Sequence, residues 1–124
     1  MIRTAVLAAA LGLSLAPIAG AQDSVETARG SGAVLRTLDK VSSEITDLEL
    51  APGESADIGR LTVRLGECRY PAADPNSDAF AQMVITDRNS LATLFDGWMV
   101  ASAPALSSLD DARYDVWVMA CKTA

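Results

Sequence analysis

The sequence predicts an all-β fold: a small antiparallel β-sandwich or barrel with one short helical segment and one disulfide. Short runs of aliphatic, β-branched and aromatic residues recur along the chain, and clusters of Pro, Gly, Asp and Asn separate them. Only one segment has a helix-like composition. Many short strands joined by short turns bury a core most simply as two packed antiparallel sheets or a closed barrel.

Residues 1–21 read as a targeting segment rather than as part of the fold. Met1-Ile2-Arg3 gives a positive start, Ala5 to Leu15 is uncharged, and Ala19-Gly20-Ala21 puts small residues where a signal peptidase needs them. An export signal cleaved after Ala21 is expected. Pro17 and Gly20 break the apolar run short of the roughly 20 residues that span a bilayer, so no membrane insertion is expected after cleavage. Gln22 to Ala33, with Gly30-Ser31-Gly32 near its end, shows neither helical nor strand periodicity and reads as a flexible lead-in. Residues 34–124 then form a single β domain, long enough for one core and too short for two.

The expected strands follow in order. Ala33 to Leu38 and Ser43 to Leu50 are apolar and β-branched, the second with an irregular pattern at Ile45, Leu48 and Leu50. Leu61 to Tyr70 is the clearest, because Leu61, Val63 and Leu65 alternate with Thr62 and Arg64 as in a strand with one buried face. Phe80 to Thr86, Leu91 to Ala101 and Tyr114 to Cys121 complete the set. Pro52-Gly53-Glu54 supplies a type II turn, Ile58-Gly59-Arg60 a second turn or bulge, and Asp87-Arg88-Asn89-Ser90 a hairpin connection. Pro71 to Asp78 is too proline-rich to join either flanking strand. Pro104 to Asp111 is the one helical candidate, opening on Pro and scarcely two turns long.

The chain has 10 Lys and Arg against 16 Asp and Glu, a net charge of −6. Loss of Arg3 with the signal makes the mature part more acidic still. The basic residues are scattered singly, which excludes nucleic acid and anionic lipid as partners, since both require clustered positive charge. Cys68 and Cys121 are the only cysteines. In an exported chain they predict one intrachain disulfide, with two buried thiols as the alternative.

The block from Phe95-Asp96-Gly97-Trp98-Met99-Val100 through Ala101-Ser102-Ala103-Pro104-Ala105-Leu106, followed by Tyr114-Asp115-Val116-Trp117 and Cys121, carries a specific likeness. Leu38-Asp39-Lys40-Val41, Pro52-Gly53-Glu54, Gly59-Arg60-Leu61-Thr62-Val63 and Cys68 extend it upstream. On these residues the chain resembles the DUF2155 family, small exported bacterial proteins of undefined function. The resemblance implies a periplasmic location and paired cysteines, and it implies no reaction. The family pattern has a His-Pro pair before the Tyr-Asp-Val-Trp segment, whereas Asp111-Ala112 stands here.

The chain contains no histidine, which removes the commonest general base and zinc ligand. A Ser-Lys pair has only Lys40 and Lys122 to draw on in the mature part, without a recognised spacing. Asp96, Asp110, Asp111 and Asp115 are candidate paired carboxylates, with solvated surface and turn capping as the plainer reading. Asp74-Pro75-Asn76-Ser77-Asp78 begins like a calcium loop, but Ala79 replaces the turn glycine and Ile85 the bidentate glutamate. No metal or cofactor is therefore expected. Alternation in the last strand sets Tyr114, Val116 and Val118 on one face and Asp115, Trp117 and Met119 on the other. Trp117 then needs a cover, for which Pro104 to Leu109 is the candidate, or a ligand. Gly97 beside Trp98 suggests a bulge or a close backbone approach rather than a phosphate loop. The expected function is a noncatalytic binding or accessory role in the cell envelope, with Asp96, Trp98, Tyr114, Asp115 and Trp117 as binding residues and an envelope protein or glycan as partner. The alternatives are a small carboxylate-based hydrolase and a purely structural envelope protein.

Overall fold

The computed structural model describes residues 9–15 and 25–123. The positive start of the expected export signal and its cleavage junction at Ala21 lie outside them; Ala9 to Leu15 are exposed and carry no regular secondary structure. Among the described residues no helix is long and apolar enough to cross a membrane.

Eight strands make the fold: β1 (Thr27–Arg29), β2 (Gly32–Asp39), β3 (Ile45–Leu50), β4 (Ser55–Ile58), β5 (Leu61–Pro71), β6 (Phe80–Asp87), β7 (Thr93–Val100) and β8 (Tyr114–Lys122). They form two antiparallel sheets, so the all-β class holds. Sheet A runs β1-β5-β6-β7, with β4 also paired to β5, and sheet B runs β3-β2-β8. The chain passes between the sheets three times among the described residues, first between β1 and β2. Gly30 N–H donates to the Cys68 carbonyl at 2.7 Å in sheet A, and Ser31 N–H donates to the Lys122 carbonyl at 2.8 Å in sheet B. Gly32 begins β2 directly over Leu50, whose carbonyl oxygen would sit 2.4 Å from any Cβ placed there.

Several expectations need correction. The stretch read as a lead-in contains β1, which pairs Thr27 with Pro71 and Arg29 with Arg69. A three-residue strand held by main-chain pairing leaves no periodic signature. β4 also went unread, because four residues between two turns are too few to show alternation. Pro71 joins β5 as its last residue, a terminal position where the missing N–H is tolerated. The helical candidate shrinks to a 3₁₀ turn at Pro104–Leu106 with no side-chain cap, and the chain beyond it drops Leu109 into the core. β3 and β7 start later than expected because Ser43 (φ +62°) and Leu91 (φ +61°) are left-handed turn residues. The turn at Pro52-Gly53 is as expected, with Gly53 at φ +83° and Glu54 N–H bonded to the Ala51 carbonyl.

The core is the space between the sheets, filled by Leu35, Leu61, Val63, Leu65, Met83, Ile85, Met99 and Val118, all essentially inaccessible. Two bulges decide how it closes. In β5 the buried positions are Leu61, Val63 and Leu65, so strict alternation would turn Cys68 outward; the register shift at Gly66 brings it in. In β8 Tyr114, Val116 and Val118 face inward, and the shift at Met119 does the same for Cys121. The two cysteines meet as a disulfide, with Cα atoms 5.6 Å apart, that ties sheet A to sheet B across a sequence separation of 53. The expected bulge at Gly97 is absent: Gly97 lies opposite Met83 in regular register, and the shift in β7 falls at Leu94.

Candidate functional site

The sheets do not hydrogen-bond to each other along their edges, which leaves two seams, one between β7 and β8 and one between β3 and β4. Each seam opens into a cavity.

The first is a groove of about 270 Å³ between the 3₁₀ segment and β8, lined by Pro104, Ala105, Ser108, Leu109, Asp115, Val116 and Trp117. Alternation along β8 puts Trp117 on the outer side, where it is half-buried, and the Pro104 to Leu109 segment forms the facing wall as expected. The Trp117 indole N–H points to the Met119 sulfur at 3.0 Å. Asp115 is the only charged lining residue, 3.5 Å from the Lys40 ammonium.

The structure divides the remaining expected binding residues. Asp96 and Trp98 lie on the outer face of sheet A, opposite Val84 and Gln82, with Trp98 39% exposed. Tyr114 points the other way, into the core, and is only 5% exposed. Asp115 and Trp117 are thus the pair that one groove brings together.

Of the carboxylates that a hydrolase would use, Asp111 is engaged in holding the fold. Asp111, standing where the family pattern has its histidine, accepts the backbone N–H groups of Arg113 and Tyr114 at 2.9 Å each and pairs with the Arg60 guanidinium. Burial pushes the Asp111 carboxyl up, but the Tyr114 amide, the Arg60 guanidinium and the Arg113 amide together hold it below the usual range. A depressed carboxylate fixed to an arginine is a strut, the reverse of a general acid. Asp74 and Asp78 likewise serve their own loop: Asp74 accepts the Asn76 amide, and Asp78 accepts the amides of Ala79 and Ser102 and the Ser102 hydroxyl.

The second cavity, a slot of about 250 Å³, lies where β3 and β4 splay apart. Thr37, Thr46, Ile58, Gly59 and Tyr114 line it inside, and Asp39, Glu44 and Asp57 stand with them. The Tyr114 hydroxyl sits against Gly59, at 2.0 Å from where a Cβ would be. Two guanidinium groups lie over its ring, Arg60 at 5.8 Å and Arg113 at 5.3 Å from the centroid. Arg113 pairs with Asp39 at 3.0 Å, and its hydrogen bonds lower the Asp39 carboxyl to about 2. Sequence reasoning missed this slot because β4, one of its walls, was not recognised.

Two packed antiparallel sheets, stapled by one disulfide and opened at two seams, define a small all-β domain with recognition-sized cavities. The chain belongs to the DUF2155 family, described as uncharacterized proteins conserved in bacteria, whose model matches residues 33–121. It is 28% identical over 87 residues to the uncharacterized protein RP359 of Rickettsia prowazekii (strain Madrid E), an alignment covering 68% of this chain and 56% of that protein. The chain thus spans little more than half the length of that relative. No solved structure matches the chain.

Proposed function

We propose that the protein is an exported, periplasmic, noncatalytic binding module that docks a segment of an envelope protein through the groove beside Trp117. The observation that carries this reading is the half-buried indole of Trp117 in a groove otherwise walled by Pro104, Ala105, Leu109 and Val116. A large aromatic ring kept at an open apolar groove is the usual anchor of a recognition surface. With Asp115 as the lone charge in the groove and −6 on the whole chain, the matching partner segment is apolar with a basic neighbour. The signal-like residues 1–21 and the Cys68–Cys121 disulfide support an oxidising compartment outside the cytoplasm.

The test is comparative recovery of partner from envelope extracts, with the bait's mass checked for a start at Gln22. Trp117→Ala should weaken recovery by about 2 kcal/mol in apparent affinity, roughly thirtyfold, and Asp115→Asn by less. Glu54→Gln, on the exposed β3–β4 turn, should behave as wild type. Equal recovery from all four proteins, with folding intact, leaves a purely structural role instead.

A further inference from the structure

The slot between β3 and β4 shares no lining residue with the Trp117 groove, and it has a chemistry of its own. Tyr114 is 95% removed from solvent as a residue, which reflects a ring wedged between the sheets. Its hydroxyl is the exception. That group lies at Gly59, a lining residue of the slot, and makes no hydrogen bond among the described residues. A phenol in a core normally finds a partner for its O–H. Here the glycine at Gly59 leaves the space, and the hydroxyl is not sealed in but opens onto the slot.

The other lining groups define what that partner is. Thr37 donates its hydroxyl to the Thr46 carbonyl at 3.1 Å, so its oxygen remains free to accept. Thr46 adds a second hydroxyl, and Asp39, Glu44 and Asp57 supply negative charge, with no basic side chain in the lining. Asp39 is already paired with Arg113, and Asp57 accepts the Thr62 hydroxyl and lies 3.6 Å from Arg88; Glu44 has no ion-pair partner among the described residues. The cations nearest the slot therefore leave a carboxylate unmatched. Arg60 and Arg113 both lie over the Tyr114 ring, and the ring is buried, so it offers no platform on which a sugar or an aromatic ligand stacks.

From these groups we infer that the slot is a binding site for a primary ammonium group, either the head of a partner's lysine side chain or a free alkylamine. Three hydroxyl oxygens at Thr37, Thr46 and Tyr114 match the three rotatable donors of an ammonium, and the unpaired Glu44 balances its charge. A guanidinium is the poorer fit, because its planar fork calls for a bidentate carboxylate, and Asp39 already pairs in that way with Arg113.

Amide chemical shifts of the full mature protein test this with three probes: Nα-acetyl-lysine methylamide, cadaverine, and the uncharged Nα-acetyl-norleucine methylamide. The ammonium probes should shift the Thr37, Thr46 and Gly59 amides saturably, and the norleucine probe should not. Tyr114→Phe removes only the hydroxyl and keeps the ring, so it should fold; with Glu44→Gln, each should weaken the ammonium probes by about tenfold. Tighter binding of the lysine probe identifies a protein side chain as the source, and tighter binding of cadaverine a free amine. Shifts of equal size with norleucine, unaltered affinity in both variants, or no saturation at concentrations on the order of 100 mM would each overturn the assignment. Trp117→Ala should leave these shifts unchanged, which separates this site from the groove.

Discussion

Leu91 is 80% exposed and holds φ at +61°, a conformation that costs a branched side chain about 1–2 kcal/mol. Its N–H donates to the Asp87 carbonyl at 2.8 Å, and Asp87 N–H donates to the Ala92 carbonyl at 2.9 Å, so the hairpin itself enforces the angle. Ser43 stands in the same place in the β2–β3 hairpin, bonded to Asp39 in the same way. Replacing Leu91 by Gly removes the clash and sacrifices little burial, against roughly 0.5–1 kcal/mol of added chain entropy in the unfolded state. A net gain of about 0.5–1 kcal/mol in urea unfolding is expected for Leu91→Gly. Val41→Gly, at a residue whose φ is not positive, should gain nothing; a loss at Leu91 equal to that at Val41 would show that the loop carries no strain.

Among the elements, the two hairpins are built by one recipe. Asp39 accepts the amides of Val41 and Ser42, and Asp87 those of Asn89 and Ser90; Ser42 and Ser90 each accept the amide two residues on. The turn at Asp87-Arg88-Asn89-Ser90 was legible because its residues favour turns so plainly, while its twin, Asp39-Lys40-Val41-Ser42, was masked by Val41 and left unassigned between two expected strands. The alternation of Leu61, Val63 and Leu65 and of Tyr114, Val116 and Val118 showed which faces are buried, and with them the wall of the Trp117 groove. The bulges were not legible, since an extra residue changes main-chain pairing and leaves the side-chain pattern around it intact. A signal did exist: Cys68 and Cys121 are both out of phase with the buried residues of their own strands, and a disulfide between them requires a shift in each. Deleting Met119 should therefore remove the bulge and set the cysteine two positions after Val118, in phase with the core, so that the disulfide still forms. Thiol titration under denaturing, nonreducing conditions checks this; a titre of two thiols would mean that the bulge itself is needed to seat Cys121.

For the whole molecule, the disulfide is the only covalent cross-link between the sheets, beyond the chain itself, among the described residues. Sheet A and sheet B otherwise hold together by the core and, at one end, by the ion pair of Arg60, just before β5, with Asp111, on the approach to β8. Closing a loop across 53 positions stabilises by about 4 kcal/mol in the chain-entropy model, a large share of the stability of so small a domain. The Cys68→Ser, Cys121→Ser double variant should lose a few kcal/mol and remain monomeric, measured by urea unfolding and sedimentation. An unchanged unfolding midpoint would place the strength of the sheet-to-sheet contact in the core alone.

The pairing of β2 with β8 also fixes when the fold becomes available. Ser31 and Lys122, 91 positions apart, are neighbours, and β2 sits at the centre of sheet B with its second partner supplied by the residues of β8, far along the chain. Until those residues arrive, β2 has only the hairpin with β3, and a lone two-stranded hairpin is marginal in water. Contacts this distant in sequence form slowly, because the loop must close before any of them is gained. In this topology the central strand of sheet B gains its second partner, and the disulfide its second cysteine, only once β8 has been made.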